Sequence, residues 1–124
     1  MPKPGKTGLS RIVDAFGYSM RGFAAAWRFE AAFRQEVFLA LVLMPLAFWL
    51  GEGMLERLLL ISSLFWVLMA EMANSAVEAA IDRTGDEIHV LAGRAKDMGS
   101  ALVLLSLILL GIIWGSFLWE RLSH

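Results

Sequence analysis

The polar residues most able to do chemistry in this chain follow an apolar segment, in the sequence EMANSAVEAAID. They are Glu71, Asn74, Ser75, Glu78 and Asp82, which we call the acidic stripe. Each residue of a helix turns its side chain by about 100°, so all five would lie within about 100° of one another. The residues between them are mostly Ala, Met, Val and Ile. A helix here would carry acids on a surface otherwise compatible with lipid.

The depth of Glu71 suggests that the acidic stripe has a function. The segment from Leu58 to Ala70 carries no charged residue, and a helix of that length spans about 20 Å. Since the hydrocarbon of a bilayer is about 30 Å thick, Glu71 should lie at or just under its boundary. A carboxylate there costs several kcal/mol unless it is protonated, paired or hydrated. Asp82 is explained if the helix leaves the hydrocarbon there and enters the membrane–water interface. Glu71 and Glu78 are explained less well in this way, and we predict functional roles for both.

Two further clusters could reach the same depth. EAAFRQE brings Glu30 and Glu36 to the start of one apolar segment, and GRAKDMGSA brings Lys96 and Asp97 to the start of another. Carboxylates together with phosphate oxygens are the usual ligands of Mg²⁺, and a cation at a helix entry suits phosphate. A separate carboxylate could act as a base toward a hydroxyl group. The combination predicts phosphoryl transfer at a membrane interface.

The apolar segments predict three membrane spans in one membrane domain covering residues 1–124. We place the spans at about residues 31–50, 55–80 and 97–119. Of the 11 Lys and Arg residues, only Arg57 and Arg121 fall on the side of the 51–54 turn and the C-terminus. The positive-inside rule therefore puts the N-terminus and the 83–96 loop in the cytoplasm and the C-terminus outside.

Residues 1–30 are predicted to form an N-terminal arm and a surface helix. A Pro- and Gly-rich arm covers residues 1–8, and Ser10 could cap a helix that continues to about Ala26. Its apolar residues recur at spacings of four and three: Ile12, Phe16, Met20 and Phe23. Next to a membrane span, such an amphipathic helix is expected to lie on the membrane surface.

The three motifs EAAFRQE, EMANSAVEAAID and GRAKDMGSA resemble those of the small bacterial diacylglycerol kinases. The resemblance runs from about Thr7 to Trp119 and includes RIVDAFGYS near the N-terminus. The related undecaprenol kinases share the acidic stripe, whereas EAAFRQE favours the diacylglycerol branch. The resemblance implies an all-α integral membrane protein, a homotrimeric bundle in which each subunit adds an amphipathic surface helix to three transmembrane helices, with sites shared between subunits.

The resemblance also implies roles for individual residues. Glu71 would be the general base that takes the proton from the lipid hydroxyl, and Asn74 would help to position the reacting groups. Glu30 and Glu78 would hold the Mg²⁺ that bridges the phosphates of ATP. The nucleotide would be bound by Arg11, Tyr18, Glu30, Glu78, Glu87, His89, Lys96 and Asp97, with Lys96 on phosphate. The lipid would contact Arg11, Ser19, Glu36, Trp49, Glu71 and Ser100.

The sequence thus predicts a multi-pass kinase of the bacterial inner membrane. It would transfer the γ-phosphate of ATP, with Mg²⁺ as cofactor, to the hydroxyl of diacylglycerol and give phosphatidic acid. Its partners would be ATP, diacylglycerol, membrane lipid and further copies of itself. Nucleic acid is not expected as a partner, because the net charge is −1. No G-x-x-x-x-G-K-[ST] or G-x-G-x-x-G sequence occurs, which excludes the nucleotide cradles of P-loop enzymes and protein kinases.

Three alternatives remain open. The chain could phosphorylate undecaprenol instead. It could be an ion-conducting subunit with Glu71 and Glu78 as a relay, although Leu58–Ala70 then offers only Ser62 and Ser63 to continue the path. It could be a structural assembly subunit that packs through GIIWG, residues 111–115, but this reading explains none of the acids.

Overall fold

The computed structural model describes residues 7–84 and 89–124, apart from the side chains of Thr84 and His89. In these two ranges every regular element is a helix, in the order α1 (Leu9–Phe29), α2 (Ala31–Leu50), α3 (Met54–Thr84) and α4 (His89–Leu122). The last three are long and apolar enough to cross a membrane. The predicted all-α class is confirmed, and three helices fit the three predicted spans by length and composition.

Helix α1 differs from the prediction at both ends. Its N-cap is Gly8, with φ +61°, so Ser10 lies inside the first turn and does not cap the helix. Its last residue is Phe29 and not Ala26, because no Gly or Pro follows Ala26 and Arg28 complements the partial negative charge of the last turn. Ala26 is the one buried residue of α1. Ile12 and Phe16 are both 65% exposed, so the apolar face has no partner in the described chain.

The boundary between α1 and α2 is a single extended residue, Glu30. Its φ of −116° and ψ of 102° interrupt the helical path. The Arg34 side chain reaches back across this break, and its Nη1 donates to the carbonyl oxygens of Trp27 at 2.6 Å and Arg28 at 3.3 Å. These bonds satisfy carbonyls at the end of α1 that have no partner within the helix. The break therefore presents Glu30 at the start of the first membrane span.

A tight turn at residues 51–53 joins α2 to α3. A Cβ on Gly51 would lie 2.7 Å from Cγ of Arg57 and 3.0 Å from the carbonyl oxygen of Ala47. Only glycine therefore allows so close an approach of the two helices here. Gly53 has φ +90°, a conformation that costs glycine little. The turn makes α2 and α3 antiparallel neighbours, as Gly51-Glu52-Gly53 predicts.

Helix α3 is the central element and packs most extensively against α4. Its 31 residues extend about 46 Å, so its C-terminal turns pass beyond the hydrocarbon. Helix α4 starts at His89, about eight residues before the predicted span at 97–119, and Gly93 lies inside the helix. An isolated Gly costs a helix only about 1 kcal/mol, which the surrounding good helix formers tolerate.

A hydrogen bond between α3 and α4 lies within the apolar core. The indole Nε1 of Trp114 donates to Ser63 Oγ at 2.9 Å, and this hydroxyl donates to the carbonyl oxygen of Leu60 at 2.6 Å. Ser63 and Leu60 are fully buried. A bond at this depth fixes how α4 is rotated against α3.

We expect Ser63→Ala to destabilise the protein in detergent, because it leaves the Trp114 N–H without an acceptor. The loss should exceed that of Ser62→Ala by about 0.5 to 2 kcal/mol. Ser62 is the matched control, since its hydroxyl bonds only within α3, to the carbonyl oxygen of Leu59. Thermal unfolding measures both variants. Equal losses would contradict a stabilising role for the bond.

Candidate active site

The first contact of the candidate site joins the start of α2 to the acidic stripe on α3. Ser75 Oγ donates to Glu30 Oε1 at 3.1 Å. Glu78 lies one helical turn beyond Ser75 and belongs to the same stripe. The carboxylate at the α1–α2 break and the carboxylate of Glu78 are therefore presented to the same region.

The second contact lies deeper and joins two carboxyl groups. The Glu36 carboxyl is within hydrogen-bonding reach of the Glu71 carboxyl. Glu71 is only 5% exposed, and Glu36 Oε2 is buried without a hydrogen-bond partner among the residues that the structure describes. Ionised carboxyl groups only accept hydrogen bonds, so such a pair suits a donor group between them. A substrate hydroxyl is a donor of this kind.

Helix α4 approaches the acidic stripe from another side. Lys96 Nζ lies 2.7 Å from Asp82 Oδ1, in an ion pair that is largely open to solvent. Gly99, one turn further, lies directly against the side chain of Asn74. The third motif therefore meets the same helix as the first, and all three predicted motifs converge on the acidic stripe.

The carboxylates fit Mg²⁺ that is held together with phosphate. Within residues 7–84 and 89–124 no group of three or more acidic, His or Cys side chains could hold a metal by itself. Mg²⁺ usually takes only one or two carboxylates, and water and substrate phosphates complete its ligands. Glu30, which accepts from the Ser75 hydroxyl, and Glu78, one turn beyond Ser75, offer hard oxygen atoms that suit this arrangement.

Comparison with known proteins decides the family. The sequence model described as "Prokaryotic diacylglycerol kinase" matches residues 17–118. The chain belongs to the prokaryotic diacylglycerol kinase family. It is 51% identical over 115 residues to the diacylglycerol kinase of Escherichia coli strain K12, covering 93% of this chain and 94% of that protein. It is 49% identical over 113 residues to the Haemophilus influenzae diacylglycerol kinase, covering 91% and 96%. The Pseudomonas aeruginosa diacylglycerol kinase is 48% identical over 117 residues, covering 94% and 95%.

The family match includes all three motifs and the helices that carry them. It begins at residue 17, so it contains Tyr18 and Ser19 but not Arg11. The contacts between Glu30 and Ser75 and between Glu36 and Glu71 lie inside it. These contacts of the candidate site thus lie within the part of the chain that the family model matches.

Several predicted site residues are not brought to this cluster within one chain. Arg11 precedes Glu30 by most of helix α1, a distance of about 28 Å along its axis. Trp49 is at the far end of α2, where the Arg121 guanidinium stacks at 4.2 Å from its ring centre. Other predicted residues are exposed: Tyr18 under Arg21, Ser19 bonded to the carbonyl of Ala15, Asp97 and Ser100. Glu87 and the His89 side chain lie outside the described residues.

Three residues of the cluster were not predicted to have site roles. Ser75 was recognised as part of the acidic stripe, and its position one turn before Glu78 is the signal that could have marked it. Asp82 was expected only to leave the membrane, yet it pairs with Lys96. Gly99 gave no distinct signal, because glycine in a motif rich in small residues does not reveal which side chain it faces.

Proposed function

We propose that this chain transfers the γ-phosphate of MgATP to the hydroxyl of diacylglycerol at the cytoplasmic face of the inner membrane, giving phosphatidic acid. It is an enzyme of the prokaryotic diacylglycerol kinase family, whose curated members compared above are named diacylglycerol kinases. The observation that carries the reaction is the contact between the buried carboxyls of Glu36 and Glu71 beside the more exposed Glu30–Ser75 pair.

Glu71 is the proposed general base. It lies two turns before Glu78 on α3, about 10 Å further into the membrane, which is the side from which a lipid hydroxyl approaches. The carboxyl of Glu71 faces that of Glu36, so a hydroxyl bound between them could donate to an oxygen atom of either carboxyl. Glu36 would hold the lipid hydroxyl while Glu71 removes its proton, and burial keeps bulk water from competing.

A cleft beside the Glu30–Ser75 contact suits the lipid. It has a volume of about 270 Å³ and lies between the second half of α1 and α3. Its walls are mostly apolar and include the small residues Gly22, Ala26 and Ala79, with Glu30 and Ser75 at one side. An acyl glycerol could place its apolar part in such a cleft and keep its hydroxyl beside the acids.

Glu30 and Glu78 are the proposed metal ligands, with Ser75 holding Glu30 in position. When bound, Mg²⁺ would neutralise charge on the ATP phosphates. Lys96 would bind phosphate, and it need not leave Asp82 to do so, because an ammonium group has three donors. Catalysis would depend mainly on positioning and on neutralising charge.

The proposed setting is a homotrimer in which the N-terminus and the 83–96 loop are cytoplasmic and the C-terminus is outside. The distribution of Lys and Arg supports this orientation. The uncovered apolar residues of α1, such as Ile12 and Phe16, suit a helix on the membrane surface or against a neighbour. Sites shared between subunits would bring Arg11 of one α1 to the acidic stripe of another chain.

The reaction is tested with purified protein in detergent micelles, ATP labelled at the γ-phosphate, and diacylglycerol or undecaprenol. We expect labelled phosphatidic acid, and we expect Glu71→Gln to lower kcat by about 10²- to 10⁴-fold while MgATP binding is kept. Glu120→Gln, at the outer end of α4, is the control and should retain activity. Preferential labelling of undecaprenol would contradict the substrate, and a fully active Glu71→Gln enzyme would contradict the base.

We expect Glu30→Gln and Glu78→Gln each to raise the Mg²⁺ concentration needed for half-maximal activity by about tenfold or more, since each removes a charged oxygen ligand. Ser75→Ala should cause a smaller shift in the same direction, because it only frees Glu30 from its hydrogen bond. Titration of the rate with Mg²⁺ at fixed ATP measures the effect. Loss of rate with an unchanged Mg²⁺ dependence would show that the residue is not a ligand.

Mixed oligomers test the shared site. Arg11→Ala chains and Glu71→Gln chains, each inactive alone, should regain about a quarter of wild-type activity when co-assembled in equal amounts, because one in four cyclic neighbour pairs supplies both intact residues. The control mixes Glu71→Gln with Glu78→Gln chains, which should stay inactive because both residues lie on one helix. If the mixtures of Arg11→Ala and Glu71→Gln chains also stay inactive, the model in which α1 of one chain completes the site of another is wrong.

A further inference from the structure

Gly99 is the point at which the backbone of α4 comes closest to the acidic stripe. It is buried, and a Cβ added to it would overlap with Oδ1 of Asn74 and lie 3.2 Å from Cγ and 3.7 Å from Cα of the same residue. On the same helix, Gly111 and Gly115 have no atom of the described chain within 4 Å of an added Cβ. Gly costs about 1 kcal/mol relative to Ala inside a helix. At position 99, unlike at positions 111 and 115, a neighbouring side chain leaves room only for glycine.

The contact acts on the amide group of Asn74 and not on the path of either helix. Oδ1 of Asn74 is buried and has no hydrogen-bond partner in the described part of the chain. Its orientation is therefore set by packing, and the surface against which it packs is Gly99. A hydrogen on the glycine Cα takes the direction of the missing Cβ, so Oδ1 faces a weakly polar C–H group. With Oδ1 held against α4, the NH₂ group is the end left to donate hydrogen bonds.

We propose that Gly99 is a positioning residue for phosphoryl transfer, and that it acts by holding the Asn74 amide in one orientation beside Glu71. This inference depends on the proposed role of Asn74 in positioning the reacting groups. A methyl group at position 99 would meet the end of a flexible side chain, so the least costly response is rotation of the Asn74 side chain. The helices can stay in place while the amide loses its orientation.

The experiment compares Gly99→Ala with Gly111→Ala in the full-length protein, assayed with MgATP and diacylglycerol in micelles. We expect Gly99→Ala to lower kcat by about tenfold or more, as misplacement of a positioning group does. The KM for ATP should change less than threefold, and the midpoint of thermal unfolding should stay within a few degrees of wild type. Gly111→Ala should keep wild-type kcat. If the loss of kcat in Gly99→Ala is accompanied by a fall of more than a few degrees in the unfolding midpoint, the proposal is overturned, because Gly99 would then serve packing alone.

The Asn74→Ala background separates the two steps of the inference. If Gly99 acts through Asn74, Gly99→Ala should lower kcat by less than twofold in Asn74→Ala protein, since the group that it misplaces is already gone. The same fold-loss in both backgrounds would overturn the inference. Impaired Asn74→Ala with fully active Gly99→Ala would overturn it and leave the role of Asn74 intact. A fully active Asn74→Ala enzyme would instead remove the role of Asn74, and the inference with it.

Discussion

The arrangement of this protein depends on the cost of carrying carboxyl groups at the edge of a membrane. Glu71 is almost completely buried, and a buried carboxylate without partners costs several kcal/mol. The helices therefore have to meet where polar groups can face one another. The Ser75 hydroxyl meets this requirement for Glu30, whereas Glu71 faces the carboxyl of Glu36 in a pair that suits a donor group between them. Elsewhere these helices are free to present apolar side chains.

The 51–53 turn helps to fix how α2 and α3 are aligned along their length, and this alignment affects the contacts at their other ends. Arg57 Nε donates to the carbonyl oxygen of Phe48 at 3.3 Å close to the turn. Phe48 lies three residues before the turn and Arg57 four residues after it, and at the other end of the helix pair Glu30 and Ser75 lie 21 residues before and 22 after. The offset between the two helices is thus the same at the bond next to the turn and at the bond at the far end of the pair. A packing constraint at one end of the helix pair therefore influences which polar side chains meet at the other end.

The sequence predicted the parts of this arrangement that depend on composition and periodicity. The bounds of α2 were predicted because an apolar run ends at Gly51, and the acidic stripe was predicted because its spacing is helical. The ends of α1 were predicted wrongly, since Ser10 is a weak signal that neighbouring helix formers override. The partners Glu36–Glu71, Lys96–Asp82 and Asn74–Gly99 could not be predicted, because they depend on the register between helices, which no single segment encodes.

A kinase without a glycine-rich phosphate loop needs another rigid element to hold its reactants. Here the rigid element is α3, which carries the proposed base and one proposed metal ligand two turns apart, so their separation is that of a helix. Helix α2 brings Glu36 to the proposed base, and Glu30 at its N-cap bonds to Ser75, one turn before the proposed metal ligand. Helix α4 brings a cation and a bare backbone surface. The positions of the reacting groups then depend on how one helix packs against another, and a single added methyl group can disturb that packing. Gly99 is informative for this reason, since a glycine on one helix can set the direction of an amide on the next.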